Sequence, residues 1–424
     1  MSAPSYESGQ RPHRLEFVRE ATIGVTPADP EFEAYSDAAR SFEPAVNPNI
    51  APQDALGEAD SSGSYAGTEE SDLAITYGLQ RWLLDGSGNA GDAAYDAFAR
   101  DADNKLPHTH TVVRRMEQAG LDPDNTVSGN ASYDTRQYWV GRGGAVDKAV
   151  ITGDPSEGGP VQVKLTYGFE RFRPFQIDQP DTLTLLVVSS SSANDTTQTL
   201  TIEDEGGANS VQVALDGTNL VSTSVEFADI DALELDGETE GTVTVAINTG
   251  TVSSPTEGDT LAELDGTNSH DTDDGDRGVP ALGGGSRAGR VGTGYELLED
   301  GDTVELPDGT AIGDNIAAIE VSVANNIVRQ ARASTAGPAI AAEKRECEVA
   351  ATVFGETEEF GHVRNMVTTN RMDFAWTFSD GPTDTGSLTI EQAKVLEVGA
   401  TEEPHQSVKQ IDVTAGQQEG VQIT

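Results

Sequence analysis

The feature that most narrows what this chain can become is strict apolar/polar alternation, repeated in short runs along most of its length. In Ile319-Glu320-Val321-Ser322-Val323 the aliphatic residues fall at every second position, the period of a strand with one face on a core and one in water. Asn325-Asn326 reads as a turn and Gly337-Pro338 as a break. Beyond it, Cys347, Val349, Ala351 and Val353 share one face of a second strand, with Glu346, Glu348 and Thr352 on the other. Met372, Phe374, Trp376 and Phe378 then alternate with Asp373, Ala375 and Thr377 in the most aromatic strand of the chain. Between these strands Thr357 is placed to cap a short helix. Glu358 and Glu359 sit in its first turn, Phe360, Val363 and Val367 line one side, and Asn370 ends it. The fold class that follows is mainly β with a flanking α-helix.

The same residues carry a family resemblance. The order IEVSVANNIVRQ, Gly-Pro, KRECEVAATVFGETEEF and MDFAWTF resembles the C-terminal half of siphovirus-type major tail tube proteins. EATIGVTPADPEFEAY resembles that family's opening segment, and GRGGAVDKAVITGDPSEGGPVQVKLTYGFE its middle hairpin. The resemblance covers most of the chain outside roughly residues 178 to 255. It implies a β-sandwich tube domain assembled as stacked hexameric rings, whose inner sheets join into a channel for double-stranded DNA. It further implies a place in the virion tail after assembly in the host cytoplasm. The partners would be copies of the chain itself, other tail proteins at the tube ends, and DNA passing without sequence preference. No membrane, cofactor or metal is expected.

On that reading, IEVSV and MDFAWTF leave open sheet edges that the next subunit closes. The candidate interface and channel residues are Ile319, Val321, Val323, Val349, Ala351, Val353, Phe374, Trp376 and Phe378. Residues 1 to about 60 are rich in Pro, Asp and Ala, with LEFVREA the only clear strand. NPNIAPQDALGEADSSGS reads as a long loop, of a length uncommon unless functional. In a tube it would reach the neighbouring ring, with Asn47, Asn49, Gln53 and Asp54 as candidate contacts.

DLAITYGLQRWLLDG reads as a strand with Trp82 and Leu84 among its apolar positions. NAGDAAYDAFARD reads as a short helix, capped by Asn89 or Asp92, with Tyr95 and Phe98 inward. HTHTVVRRME, RQYWVGRG and VQVKLTYGFERFRPF complete a first sheet, so residues 1–177 form the first part of a tube domain. From Pro174 to Asp276 there is no Lys or Arg. Within that span TLTLLVV, QTLTI, SVQVAL, STSVEF, ALEL and TVTVAI recur between turn signals such as Asp216-Gly217 and Asp236-Gly237. Such spacing predicts an inserted Ig-like β-sandwich over 178–255. Residues 256–293 read as an acidic, Gly-rich linker. Residues 294–424 form the second part of the tube domain, closing on strands in SLTIEQAKVLEVG, VKQIDVTA and GVQIT.

Charge sets the conditions. Asp and Glu number 72 against 26 Lys and Arg, a net charge of −46. Such a surface repels itself in dilute buffer and suits molar salt, where the screening length falls to about 3 Å. A salt-loving host is expected. A lining poor in cations would let DNA slide, so an acid-dominated lumen is expected as well. The insert, lacking cations, is no nucleic-acid surface and should face solvent. Arg171, Arg173, Arg329, Arg332, Arg364 and Arg371 are expected to form partly buried salt bridges between subunits. The single cysteine, Cys347, excludes an intramolecular disulfide and reads as a core residue. The N-terminus has no apolar h-region, and no run approaches the roughly 18 apolar residues of a membrane span, so a protein soluble when made is expected.

The chemical motifs are weak. Asp271 to Asp276 resembles a calcium loop but has Asp276 where Gly is required, and fits a solvated linker better. GGGSRAG lacks the Gly-Lys-Ser ending of a phosphate loop. His108 and His110 have no nearby Cys and read as surface histidines. The sequons at Asn130 and Asn194 are short enough to arise by chance. No catalytic constellation stands out, so an enzyme is not expected. Two other classes fit the composition: a head decoration or adhesin-like virion protein, and a glycan-degrading enzyme with an accessory Ig domain. The latter needs aromatic platforms, and only 6% of residues are aromatic.

Overall fold

The alternation is realised as antiparallel strand throughout, in a mainly β chain seen in a computed structural model. The structure describes residues 14–27, 30–35, 41–47, 50–53, 63–66, 70–79, 83–84, 87–101, 105–118, 135–153, 161–180, 182–204, 207–237, 239–265, 277–280, 303–305, 316–330, 339–354, 372–379, 385–401, 410–416 and 421–423.

Two long strands organise the body, because each serves two sheets. The N-terminal half of Thr135–Gly153 lies between Thr109–Gln118 and Arg171–Asp178. Its C-terminal half lies between Gln162–Phe169 and Ile316–Ala324. The change of partners falls between Gly144 and Ala145, with a register shift on either side of it, where an extra residue bends a strand. Thr385–Thr401 behaves alike: its first half pairs with Met372–Ser379 and Val421–Ile423, its second with Gln410–Gly416. The central sheet therefore runs Ser41–Asn47, Glu70–Gly78, Gln162–Phe169, the first long strand, Ile316–Ala324, Glu346–Phe354, Gln410–Gly416 and the second long strand.

The glycines of GRGGAV have a steric cause. Tyr167, Phe169, Phe172 and Trp139 stack in a row with centroids 5.5, 5.1 and 5.2 Å apart. A Cβ on Gly141 would stand 2.5 Å from the Phe169 ring and 2.6 Å from the Phe172 ring. Neither ring can swing aside inside the stack. Gly141→Ala is therefore expected to lower stability by about 1–3 kcal/mol, the usual range for overpacking. A denaturant midpoint that falls with an unchanged slope would show it, and an unshifted midpoint would refute it.

Several expectations are corrected. IEVSV lies between Thr135–Gly153 and Glu346–Phe354, and MDFAWTF between Thr303–Glu305 and Thr385–Thr401, so neither is an open edge. LEFVREA is not the one strand before residue 60, because Ser41–Asn47 pairs with Glu70–Gly78, and within the long loop Ile50–Gln53 pairs with Gly63–Ala66. Pro44 and the small residues around it hide the alternation. Proline is tolerated there because, among the described residues, this strand is bonded on one side only. Phe42 anchors it, with its ring 6.2 Å from that of Phe172 and the Arg114 guanidinium 4.4 Å above it. The strand opening DLAITYG ends at Gly78; Leu84 makes only an isolated bridge to Ala90, and Trp82 lies outside the described residues.

Helix is scarce. The one helix among the described residues is Tyr95–Phe98, and Asp92 Oδ1 accepts the Ala94 N–H 2.9 Å away at its entry. The flanking helix expected from Thr357 to Asn370 falls outside the described residues. Asn325-Asn326 does turn the chain, with Asn326 at φ 49°. The closing strands Gln410–Gly416 and Val421–Ile423 are paired as expected. No described helix is long and apolar enough to cross a membrane.

Between Thr184 and Val279 two four-stranded antiparallel sheets share one core. One sheet is ordered Val221–Phe227, Thr184–Ser190, Thr242–Asn248, Glu257–Asp265; the other Ser210–Ala214, Thr199–Glu203, Ala232–Leu235, Gly278–Val279. The likeness to an immunoglobulin domain is one of architecture and not of strand order. Glu257–Asp265 and Gly278–Val279 lie in the stretch read as linker, so the sandwich extends past residue 255. Acidic alternation such as EGDTLAELD looks like linker by composition, yet Leu261 and Leu264 are core.

Candidate functional site

Six of the nine residues expected at an interface are instead core of the chain itself. Ile319, Val321, Val323, Val349, Ala351 and Trp376 are each 3% exposed or less. Strands paired on both sides leave only side chains to offer, and these face inward. Val353, Phe374 and Phe378 lie on the same strands, with side chains outside the described set. Asn47 is exposed and pairs with Glu70, and Gln53 pairs with Gly63; Asn49 and Asp54 lie outside the described residues. Cys347 is buried as expected, and burial pushes its thiol up to about 12.

Among the described residues the margins bonded on one side lie elsewhere. Among the described residues, Ser41–Asn47 and the segment 394–401 are bonded on one side only, and they terminate opposite ends of the central sheet. Val46 on the first margin is an exposed aliphatic residue.

Two buried polar nodes went unread in the sequence. His110, expected on the surface, is fully buried, while His108 is exposed. The Tyr35 hydroxyl donates to Tyr167 Oη at 3.0 Å, leaving the Tyr167 hydroxyl proton for His110 Nδ1 at 2.9 Å. His110 Nε2–H is then the donor to Asp96 Oδ2 at 2.7 Å, and Arg19 Nε donates to the same oxygen at 2.7 Å. Burial alone would raise the Asp96 carboxyl, but the His110 and Arg19 contacts outweigh it and hold it below the usual range. Burial pushes the Tyr167 phenol well above its ordinary value. Next to this node Tyr77 donates to Asp92 Oδ1 at 2.5 Å. Thr109, His110 and Thr111 are all buried, so this strand is covered on both faces and shows no alternation.

The second node joins the body to the sandwich. Arg115 Nη1 stands 2.8 Å and Arg136 Nη1 3.4 Å from Asp231 Oδ1. The Tyr138 hydroxyl reaches Asp231 at 3.0 Å, and Arg136 donates to the Ile230 carbonyl at 2.9 Å. Gln179 brackets Ile230, accepting its N–H at 2.7 Å and donating to its carbonyl at 3.1 Å. Arg142 adds Glu234 at 3.3 Å and the Gly278 carbonyl at 3.1 Å. Burial raises the Glu234 carboxyl, with Arg142 opposing the shift. Val113, Tyr138, Val140, Phe175 and Ile177 of the body share one apolar cluster with the sandwich. The cations missing from the insert are thus supplied by the body.

Of the arginines expected between subunits, one is engaged within the chain. Arg329 pairs with Asp72 of the same chain and donates to the Ser71 carbonyl at 3.2 Å. Arg332, Arg364 and Arg371 lie outside the described residues. Among the described residues no group of three His, Cys, Asp or Glu is arranged to hold a metal. Chemically, both nodes position structure: each brings opposite charges from distant parts of the chain together at largely buried sites.

No protein-family model matches the chain, and no curated protein matches it. Among solved structures, a chain from the virion of a native gene transfer agent particle is similar over 30% of this chain and 98% of its own, at 8% identity and a TM-score of 0.25. A likeness of that depth neither fixes the fold nor assigns a role.

Proposed function

We propose that this chain is a structural virion protein, a subunit of stacked hexameric rings that form the tail tube of a virus of a salt-loving host. Its work on this reading is to enclose a conduit for double-stranded DNA, with no bond made or broken. The observation that supports it most is the central sheet, whose two margins, Ser41–Asn47 and 394–401, are each bonded on one side among the described residues. Two different margins at opposite ends suit head-to-tail contact, which closes into a ring when the rotation between copies permits. Pro44 leaves the first margin one donor short, which favours a specific partner over indiscriminate edge pairing. The sequence resemblance to tail tube proteins supports the same reading.

Electron microscopy of the purified protein in molar potassium chloride is the test. Rings or tubes are expected there, dispersing as salt is withdrawn and like charges are unscreened. A stable monomer at high salt and high protein concentration would refute the proposal.

A further inference from the structure

In a chain with a net charge of −46, any cation without an anion partner is out of place. Two cations with no ion pair among the described residues lie at the end of the helix Tyr95–Phe98. Arg345 Nη1 donates to the Phe98 carbonyl, and Arg100 Nη1 to the next one, Ala99, at 3.4 Å. Arg100 Nη2 also donates to Asn325 Oδ1. Asn325 is fixed in turn, its amide donating to the carbonyls of Val146 at 2.8 Å and Ala97 at 3.2 Å. Among the described residues neither guanidinium makes an ion pair. Burial and the charge of Arg345 lower Arg100 to about 10, and Asp101 opposes the shift only in part. Arg345 is lowered by burial as well.

Carbonyl contacts use only part of what is there. A guanidinium carries five N–H donors in a planar fork that matches a carboxylate two bonds at a time. We infer that Arg100 and Arg345 form a receptor for a carboxylate of a neighbouring copy of this chain. The inference rests on the assembly reading above. A carboxylate is favoured over a phosphate backbone by the surroundings: Asp101, Glu343 and Glu346 are exposed beside the two arginines in sequence and would repel the flanking phosphates of a polyanion. A single carboxylate meets the two forks alone, and each copy brings 72 acidic residues as candidates. Partial burial keeps such a pair effective in molar salt, where exposed pairs are screened.

The test uses the full chain in molar potassium chloride, followed by sedimentation velocity over a concentration series. Arg100→Gln with Arg345→Gln is expected to need at least tenfold more protein to assemble than the wild type. The melting temperature of the dissociated chain shows that the variant is folded, since it also gives up the carbonyl contacts of both guanidinium groups. If the double variant does not fold, Arg345→Lys keeps the charge and loses the fork, and should assemble at an intermediate concentration. Assembly of the folded variants at the wild-type concentration would overturn the inference while leaving the assembly reading intact. A wild type that stays monomeric would instead overturn that reading. Labelled double-stranded DNA bound by the wild type and lost in the variants would replace the carboxylate with phosphate.

Discussion

Asp231→Ala is expected to lower folding stability by about 3–5 kcal/mol, the range for breaking a buried ion pair from one side. Asp231 lies within reach of Arg115 at 2.8 Å, Arg136 at 3.4 Å and the Tyr138 hydroxyl at 3.0 Å, all of them buried. Removing the carboxylate takes from Arg115 and Arg136 a counter-charge that both share at a buried site. Asp231→Asn keeps the shape and one acceptor, so its loss should be smaller than that of the alanine variant. Because Val113, Tyr138 and Ile177 share a core with Leu233 and Val279, the body and the sandwich should unfold in one transition in the wild type. Denaturant unfolding followed by near-ultraviolet circular dichroism would measure both points. A loss below about 1 kcal/mol would show that the clamp contributes little, since exposed pairs contribute at that level.

This clamp also marks where the sequence stops being legible. Period two was enough to place IEVSV, RECEVAATVF, MDFAWTF and the strands of the insert. It could not give their neighbours. A strand in the middle of a sheet and one at its margin have the same alternation, so Ile319 and Trp376 read equally well as interface or as core. Ser41–Asn47 failed the other way: Pro44 belongs on a margin, yet proline is also the strongest sign of a loop. The absence of Lys and Arg from Pro174 to Asp276 was visible, and it suggested a solvated module. What it reflects in part is that Asp231 and Glu234 draw their cations from Arg115, Arg136 and Arg142, far away in the chain. Pairings across a hundred residues are set by topology, and a single sequence carries no local trace of them. His110 is a similar case, for a strand buried on both faces has no wet side to betray it.

Asp96→Ala should lower stability at neutral pH by about 3–5 kcal/mol, again through the loss of one side of a buried ionic site. The Asp96 carboxylate takes His110 Nε2–H and Arg19 Nε on one oxygen, each at 2.7 Å. Without it Arg19 retains the Asp92 carbonyl at 3.0 Å, and His110 keeps only Tyr167 among these partners. The pH dependence has a definite sign. His110 and Arg19 hold the folded Asp96 carboxyl below its ordinary value of 3.8, against a burial penalty that would raise it. A carboxyl depressed by folding contributes in full above the unfolded value and loses that contribution as pH falls through the folded one. The stability gap between wild type and Asp96→Asn should therefore hold while the pH stays above about 4, and narrow progressively below it. The gap should also be nearly the same in dilute and in molar salt, because a pair this deep is screened far less than the acidic surface around it. A gap that widens on acidification, or that disappears in molar salt, would show that Asp96 acts through surface charge and not through the buried contacts with His110 and Arg19.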